Sequence, residues 1–487
     1  MHFILAIDQG TSSTRAIIYT TSGKMIATSQ YPVLSKYPYP GWVEQNPEEI
    51  WEKTLRAIKE VIAKVEVKKL IACGVTNQRE TTVIWNKETG ECLYPAIVWQ
   101  DRRTHVFCET LLADTAVFQN KTGLLPDPYF SASKLQWLLN NVEPARELAK
   151  QGKLAFGTID TFLIWRLTGG KSHVTDITNA SRTLLFNIND CHWDEELLQI
   201  FKIPASILPK VHRCDANFGT IEKTLFGKSI PITGVAGDQQ AALVGQRGFQ
   251  IGSIKATFGT GGFLLLNTGN KPSHSRYRLL TTIAYQIKEE LAYGIEGSLY
   301  HAGTTVKWLR DELKIINLAS DTESLARSLS SNEGVYLVPS FTGLGAPYWT
   351  NTPGALICGL SRNSNRAHFA RAALESVCYL TREVLACMKD DTELDFSILR
   401  VDGGMAANDW FLQFLASQSN LQIQRPHDIE TTAQGAAILA ALGCGEISSI
   451  QKLQEEWTFE KAFFPEEDKN RIERDYQGWK TALSKVL

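Results

Sequence analysis

The sequence predicts an α/β protein of two domains facing each other across a cleft. Three observations carry this reading. At 487 residues the chain is too long for a single hydrophobic core. Short apolar strands alternate with segments of helical periodicity throughout. And an apolar strand followed by a glycine turn occurs in both halves, at 8 to 15, at 259 to 262 and again at 402 to 404. The boundary falls near residue 248, giving domains 1–247 and 248–487.

In order along the chain, Phe3 to Ile7 and Ala16 to Tyr19 flank Asp8-Gln9-Gly10-Thr11-Ser12-Ser13-Thr14-Arg15 and read as strand, hydroxyl-rich turn, strand. Met25 to Ser29 continues the meander. Residues 31 to 45 read as a loop, ended by a helix start at Asn46, Pro47 and Glu49. Trp51, Leu55, Ile58, Ile62 and Val65 then predict one buried helical face. Leu70 to Val75 is a buried strand that delivers Thr76-Asn77-Gln78-Arg79-Glu80 into a loop, and Thr81 to Trp85 resumes as strand. Polar residues at a strand's carboxyl end are where open α/β sheets bind ligands. Ala96 to Trp99 ends in Gln100-Asp101-Arg102-Arg103, and Tyr129 precedes a helix carrying Leu135, Trp137 and Leu138. Another helix opens at Asp160, and the strand Ile232 to Gly237 feeds a helix through Asp238. Ile254 to Phe258, Gly259-Thr260-Gly261-Gly262 and Phe263 to Asn267 then repeat the opening hairpin in degenerate form. Helices follow at about 302 to 314, 366 to 388, from 406, and from Thr432 to Leu442, with a strand at Leu399 to Val401.

Composition excludes several classes. With 50 basic and 52 acidic residues the chain has no electrostatic footprint for nucleic acid or an anionic membrane. No apolar segment is long enough to span a bilayer and no basic leader opens the chain, which predicts a cytoplasmic protein. Nine cysteines without a CxxC pair argue against a disulfide framework or zinc site.

The chemistry-bearing residues cluster at the turns. Gly10 is expected to adopt a backbone conformation closed to other residues, bringing the N–H groups and hydroxyls of Thr11, Ser12 and Ser13 toward phosphate oxygens. Asp8 can hold a hydrated cation, and Arg15 adds permanent positive charge. An ordinary hairpin with a polar turn fits the same octapeptide. Taken together, the three glycine turns predict two domains that each offer a loop to one nucleotide's phosphates. The P-loop, the strand-coupled G-x-G-x-x-G and the protein-kinase signatures are missing. Asp238 is the candidate general base: a carboxylate cannot deprotonate an alcohol outright, but it can orient the hydroxyl and accept its proton late in a loose phosphoryl-transfer transition state. At such a junction it also fits a helix cap. Arg79 and Glu80 fit either a surface pair or a donor and acceptor for adjacent hydroxyls. Trp99, Tyr129 and Phe263 fit either core or the carbon face of a small polar substrate.

Motifs across nearly the whole chain resemble the FGGY carbohydrate kinase family. They are Asp8-Gln9-Gly10-Thr11, Gly41-Trp42-Val43-Glu44, Thr76 to Thr82, Trp99 to Thr104, Asp127 to Ser131, Gly237 to Ala242, Gly259-Thr260-Gly261 and Phe341 to Trp349. Ser131 to Asn141 and Ala355 to Glu375 are similar to its two general signatures, and the stretches at 77 to 82 and 341 to 349 resemble its glycerol-phosphorylating members in particular.

The resemblance implies two domains of the actin-like, ribonuclease H-like ATPase fold with a catalytic cleft between them. It implies transfer of the ATP γ-phosphoryl group to glycerol, giving sn-glycerol 3-phosphate, with Mg2+ at Asp8 and Asp238 as the base. Arg79, Glu80, Tyr129, Asp238 and Gln239 would bind glycerol, with Trp99 and Phe263 packing on its carbons. Thr11, Ser12, Ser13, Arg15, Thr260, Gly303, Gly404 and Asn408 match the nucleotide positions; Lys307 stands where glutamine is common, and Phe258 replaces a common tyrosine. Asn217 to Ile230 lacks both the glycine-rich loop that binds a sugar bisphosphate inhibitor in some members and the histidine phosphorylated in others. A homodimer or homotetramer is the family expectation. The alternatives are a family kinase for another polyol or sugar, and an actin-like or chaperone-like scaffold that hydrolyses ATP or lacks catalysis; the joint presence of Arg79, Glu80, Tyr129 and Asp238-Gln239 counts against the scaffold.

Overall fold

The computed structural model describes residues 2–350, 353–455 and 457–487. The opening apolar runs form β1 (Phe3–Gln9) and β2 (Ser13–Thr20), an antiparallel pair with Asp8 opposite Arg15, and β3 (Met25–Pro32) extends it. Asn46 caps α1 (Pro47–Ile62), its side-chain oxygen accepting the Glu48 N–H at 3.0 Å. The buried face of α1 is rotated from the expected one: Ile50, Thr54, Ala57, Ile58, Val61 and Ile62 are buried, whereas Trp51, Leu55 and Val65 are only half-buried. Thr54 explains the rotation. Its hydroxyl donates to the Ile50 carbonyl at 2.7 Å and lies 3.0 Å from the Thr14 hydroxyl, so a residue that a hydrophobicity pattern discards fits against β2.

β4 (Leu70–Asn77), α2 (Ser131–Asn141), α3 (Ile177–Ala180), β5 (Gly219–Ile221), β6 (Ile230–Gly237) and α4 (Asp238–Gly245) complete the first unit. Its six-stranded sheet has the order β5-β6-β4-β1-β2-β3, with β1, β4 and β6 mutually parallel. The strand expected to resume at Thr81 begins at Val83 and leaves this sheet to pair with Leu154–Gly157.

The second unit contains β7 (Ile254–Phe258), β8 (Gly262–Gly269), β9 (Leu280–Ile287), β10 (Glu290–Leu299), α5 (Gly303–Asp311), α6 (Arg366–Thr392), β11 (Ile398–Asp402), α7 (Asp409–Ser419), β12 (Gln422–Arg425), α8 (Thr431–Gly443) and β13 (Lys461–Phe463). α7 starts later than the expected 406 because residues 404–407 form a 3₁₀ turn and Asn408 caps the helix, accepting the Phe411 N–H at 2.9 Å. The seven-stranded sheet runs β9-β10-β8-β7-β11-β12-β13. In both sheets an antiparallel hairpin lies beside two successive parallel strands, β4 and β6 in one and β11 and β12 in the other. The repeat read from the glycine loops therefore extends to the strand order.

α8 ties the units together. Its Ala433, Ala437, Ala440 and Ala441 pack on Ile4, Ala6, Ile17, Tyr19 and Ala72 of the first sheet. Gly74 on β4 makes this approach possible, since a Cβ there would stand 2.1 Å from the Ala436 carbonyl oxygen, and Gly435 brings α8 equally close to α4, where a Cβ would stand 1.8 Å from the Ala241 carbonyl oxygen. All nine cysteines are free thiols, and among the described residues no helix is long and apolar enough to cross a membrane.

Candidate active site

The carboxyl ends of β1, β4, β6, β7 and β11 converge on one cavity of about 340 Å³. It gathers Asp8, Thr11, Ser12, Ser13, Arg15 and Thr260 on one side and Arg79, Glu80, Trp99, Tyr129, Asp238, Gln239 and Phe263 on the other. A second cavity of about 420 Å³ shares Thr260 and Gly404 with the first and brings in Gly303, Lys307 and Asn408, beside Phe258, Val306 and Met405. Every residue singled out from the sequence thus lines one of two contiguous spaces.

The hydroxyl-rich wall is made largely of backbone and short side chains. Gly10 departs from expectation: its φ is not positive, and a Cβ would meet only the Ser13 carbonyl at an ordinary 3.5 Å. The turn closes instead through the Gly10 N–H donating to that carbonyl at 2.9 Å, and the Ser13 hydroxyl accepts from the Gln30 amide at 2.8 Å. Glycine is required across the cavity at Gly403, where φ is +85° and a Cβ would lie 2.6 Å from the Phe258 carbonyl oxygen. The charge on Arg15 is paired with Glu430, just ahead of α8. The Trp99 indole N–H donates to the Thr11 hydroxyl at 2.8 Å, and its ring centroid lies 5.5 Å from Tyr129 and 6.0 Å from Phe263. Trp99 therefore joins this wall to the opposite one.

The opposite wall is a buried charge network. Asp238 opens α4, but Gly237 occupies the cap position. The Asp238 carboxylate accepts the Gln239 N–H at 2.7 Å, lies 3.1 Å from Arg79 Nε, and is 28% exposed, so it is reachable from the cavity. Burial pushes its carboxyl above the usual range, against the pull of Arg79 and Lys255. Glu80 holds a left-handed backbone, φ +60°, a strained conformation for a non-glycine residue of the kind that clusters at functional sites.

Three residues of this network escaped the sequence reading. Glu296 on β10 accepts from Arg79 at 2.5 and 3.1 Å and from Arg182 at 2.9 Å, and these guanidiniums overcome burial to hold its carboxyl down at about 2. Arg182, after α3, also donates to Glu80 at 2.7 Å. Lys255 on β7 donates to the Gln239 side-chain oxygen and, at 2.9 Å, to the Thr257 hydroxyl; burial brings its ammonium down to about 8. An ammonium only donates, so Gln239 must turn its oxygen to Lys255 and its amide N–H groups elsewhere. The signal available was a charged residue amid a strand's apolar run, as in Ile254-Lys255-Ala256 and Gly294-Ile295-Glu296.

Asp8 and Asp402 bring carboxylates to the same space. Burial pushes Asp8 up to about 6, opposed by Arg15 and assisted by Asp238. Asp402 is fully buried; one oxygen accepts from Gln246 at 2.6 Å and from Thr431, while the other has no hydrogen-bond partner. Among the described residues no three His, Cys, Asp or Glu side chains form an all-protein metal cage. A small divalent cation that keeps waters and takes phosphate oxygens needs only one or two carboxylates, and Asp8 fits that demand.

The domain models of the FGGY family of carbohydrate kinases match residues 3–245 (N-terminal domain) and 254–444 (C-terminal domain). The chain belongs to this family. FGGY kinases similar to it include the glycerol kinase of Coxiella burnetii, 50% identical over 491 residues covering 100% of this chain and 98% of that protein. The glycerol kinase of Alteromonas mediterranea is 50% identical over 488 residues, 99% of each chain. The crystal structure of Plasmodium falciparum glycerol kinase with ADP superposes with a TM-score of 0.92 at 36% identity, covering 100% of this chain and 98% of that one. A ligand-bound xylulose kinase from Lactobacillus acidophilus shares the fold, with a TM-score of 0.87 at 21% identity over 99% of both chains. The two-unit α/β architecture with a cleft between is thus that of the FGGY kinases.

Proposed function

We propose that this FGGY kinase transfers the γ-phosphoryl group of ATP to a terminal hydroxyl of glycerol, giving sn-glycerol 3-phosphate and ADP. The observation that carries the reading is the meeting, in one cavity, of the hydroxyl-rich loop with the Arg79–Glu80–Asp238 wall. The glycerol kinases at 50% identity over the full chain favour the same substrate.

In this reading glycerol lies against Trp99 and Phe263, with Arg79, Glu80, Tyr129 and Gln239 meeting its hydroxyls. Asp238 orients the reacting hydroxyl and accepts its proton late, as bond formation to phosphorus makes that proton acidic. Thr11, Ser12, Ser13, Arg15 and Thr260 receive the nucleotide's phosphates, and the second cavity, with Gly303, Lys307, Gly404 and Asn408, receives the nucleoside. Asp8 would hold a hydrated Mg2+, which would neutralise charge on the phosphates. The units responsible are assigned to residues 1–247 and 248–487, and a cytoplasmic homodimer or homotetramer completes the proposal, checked by light scattering.

The test is a panel of polyols and sugars ranked by kcat/KM with Mg-ATP. Glycerol is expected at the head; a preference for a five-carbon sugar overturns the substrate, and ATP turnover indifferent to any polyol overturns the reaction.

A further inference from the structure

We propose that Arg182 is a positioning residue for the acceptor alcohol, fixing the Glu80 carboxylate from behind the cavity. The inference rests on the assignment of that cavity to a polyol. Arg182 is 0% exposed, so it acts on the acceptor through Glu80.

Glu80 is pinned in stages. Its carbonyl accepts from the Ser131 hydroxyl at 2.9 Å and the Thr82 hydroxyl at 3.0 Å, which holds the left-handed backbone in place. The remaining freedom is in the side chain, and the Arg182 Nε–H removes it by donating to Oε1 at 2.7 Å. Oε2 is left as an acceptor for hydroxyl donors in the cavity. Arg182 is held in turn by Glu296 at 2.9 Å and by the Tyr129 and Phe130 rings, whose centroids lie 5.7 and 5.4 Å from its guanidinium carbon. Its segment is fastened to the strands that deliver Arg79 and Asp238. Asn179 exchanges two hydrogen bonds of 3.0 Å with Asn77 at the end of β4, and the Thr178 hydroxyl accepts the Gly237 N–H at 2.9 Å at the end of β6. The hydrogen bonds that Arg182 makes are those to Glu80 and Glu296.

The charged and titratable groups facing Glu80 are Arg79 beyond β4, Arg182 beyond α3, Glu296 on β10, Tyr129 ahead of α2 and Lys134 within it. Burial drives the Glu80 carboxyl up, and the two arginines oppose it. Without Arg182 the Glu80 carboxyl group stays protonated to higher pH and loses its fixed orientation.

The experiment measures kcat and KM for glycerol and for ATP against pH in wild type, E80Q, R182M, R182K and the double variant R182M/E80Q. R182M is expected to raise the glycerol KM about 10-fold or more at neutral pH, with the ATP KM little changed, and to move the acid limb of kcat/KM for glycerol to higher pH. R182M/E80Q should raise the glycerol KM by much less than the product of the two single effects, since Arg182 acts on the acceptor through Glu80; what it loses beyond E80Q is the Arg182–Glu296 contact. R182K keeps the charge without the fork, so it should restore the pH limb and only part of the affinity, and it carries the test should R182M fail to fold. Additive losses, equal shifts in both KM values, or an unmoved acid limb overturn the proposal. E80Q with an unchanged glycerol KM overturns instead the reading of the cavity on which it rests.

Discussion

The two walls of the cavity are built on opposite principles. The hydroxyl-rich wall offers Thr11, Ser12 and Ser13 and backbone N–H groups at the surface of a hairpin, with its one arginine already paired to Glu430. The opposite wall buries Arg79, Arg182, Glu80 and Glu296 at 2% exposure or less and keeps only the Asp238 carboxylate appreciably open. Phosphates carry their own charge, so neutral donors on a rigid turn suffice to hold them. A polyol is neutral, and recognising it takes donors and acceptors whose directions are set beforehand. Fixed charges in a dry setting supply those directions at a cost in desolvation.

The contrast can be broken most severely at Glu296. E296Q leaves Arg79 and Arg182 without their shared carboxylate, and about 3–5 kcal/mol of stability should be lost in urea or thermal melts, together with most turnover. The same pairing makes wild type acid-sensitive. The folded pKa of Glu296, about 2, lies below its ordinary 4.5, so its stabilisation is full above pH 4.5 and is lost as pH falls through about 2. That loss is on the order of 3 kcal/mol, and chemical unfolding across this range, with E296Q as the reference, measures it. Substitutions on the hydroxyl-rich wall should be milder and selective. T11A removes one donor to a charged ligand and the acceptor of the Trp99 indole N–H, raising the ATP KM about 10-fold and the glycerol KM by less, while the melting temperature holds. The smallest effect is expected for W99F, which keeps a ring but loses the 2.8 Å bond to Thr11. A two- to ten-fold rise, or roughly 0.5–1.5 kcal/mol, should appear in both KM values, because Trp99 touches both walls.

Much of the fold was legible because its strands are apolar runs ending in polar turns and its first long helix carries an explicit cap at Asn46. The location of each candidate residue was legible too, since the motifs at 8, 79, 238 and 259 all sit at strand ends that meet in space. The support behind them was not. Glu296 and Arg182 stand 217 and 102 or more residues from the side chains they hold, Arg79 and Glu80, and no local pattern encodes such a pairing. The backbone of Gly10 was misread because a glycine beside a turn is compatible with several conformations, and only the hydrogen bond to Ser13 selects one. The packing of α8 against the first sheet was hidden for a similar reason: its small alanines read as a core helix without saying which core.

The central claim is that the buried wall exists to aim one open carboxylate at the acceptor. Turnover of D238N with glycerol and Mg-ATP, measured alongside its melting temperature, tests it most directly. The account predicts a fall in kcat of about 10²- to 10⁴-fold with the fold intact. A D238N enzyme that melts like wild type and retains kcat within about 3-fold, far less than a general base contributes, would contradict it.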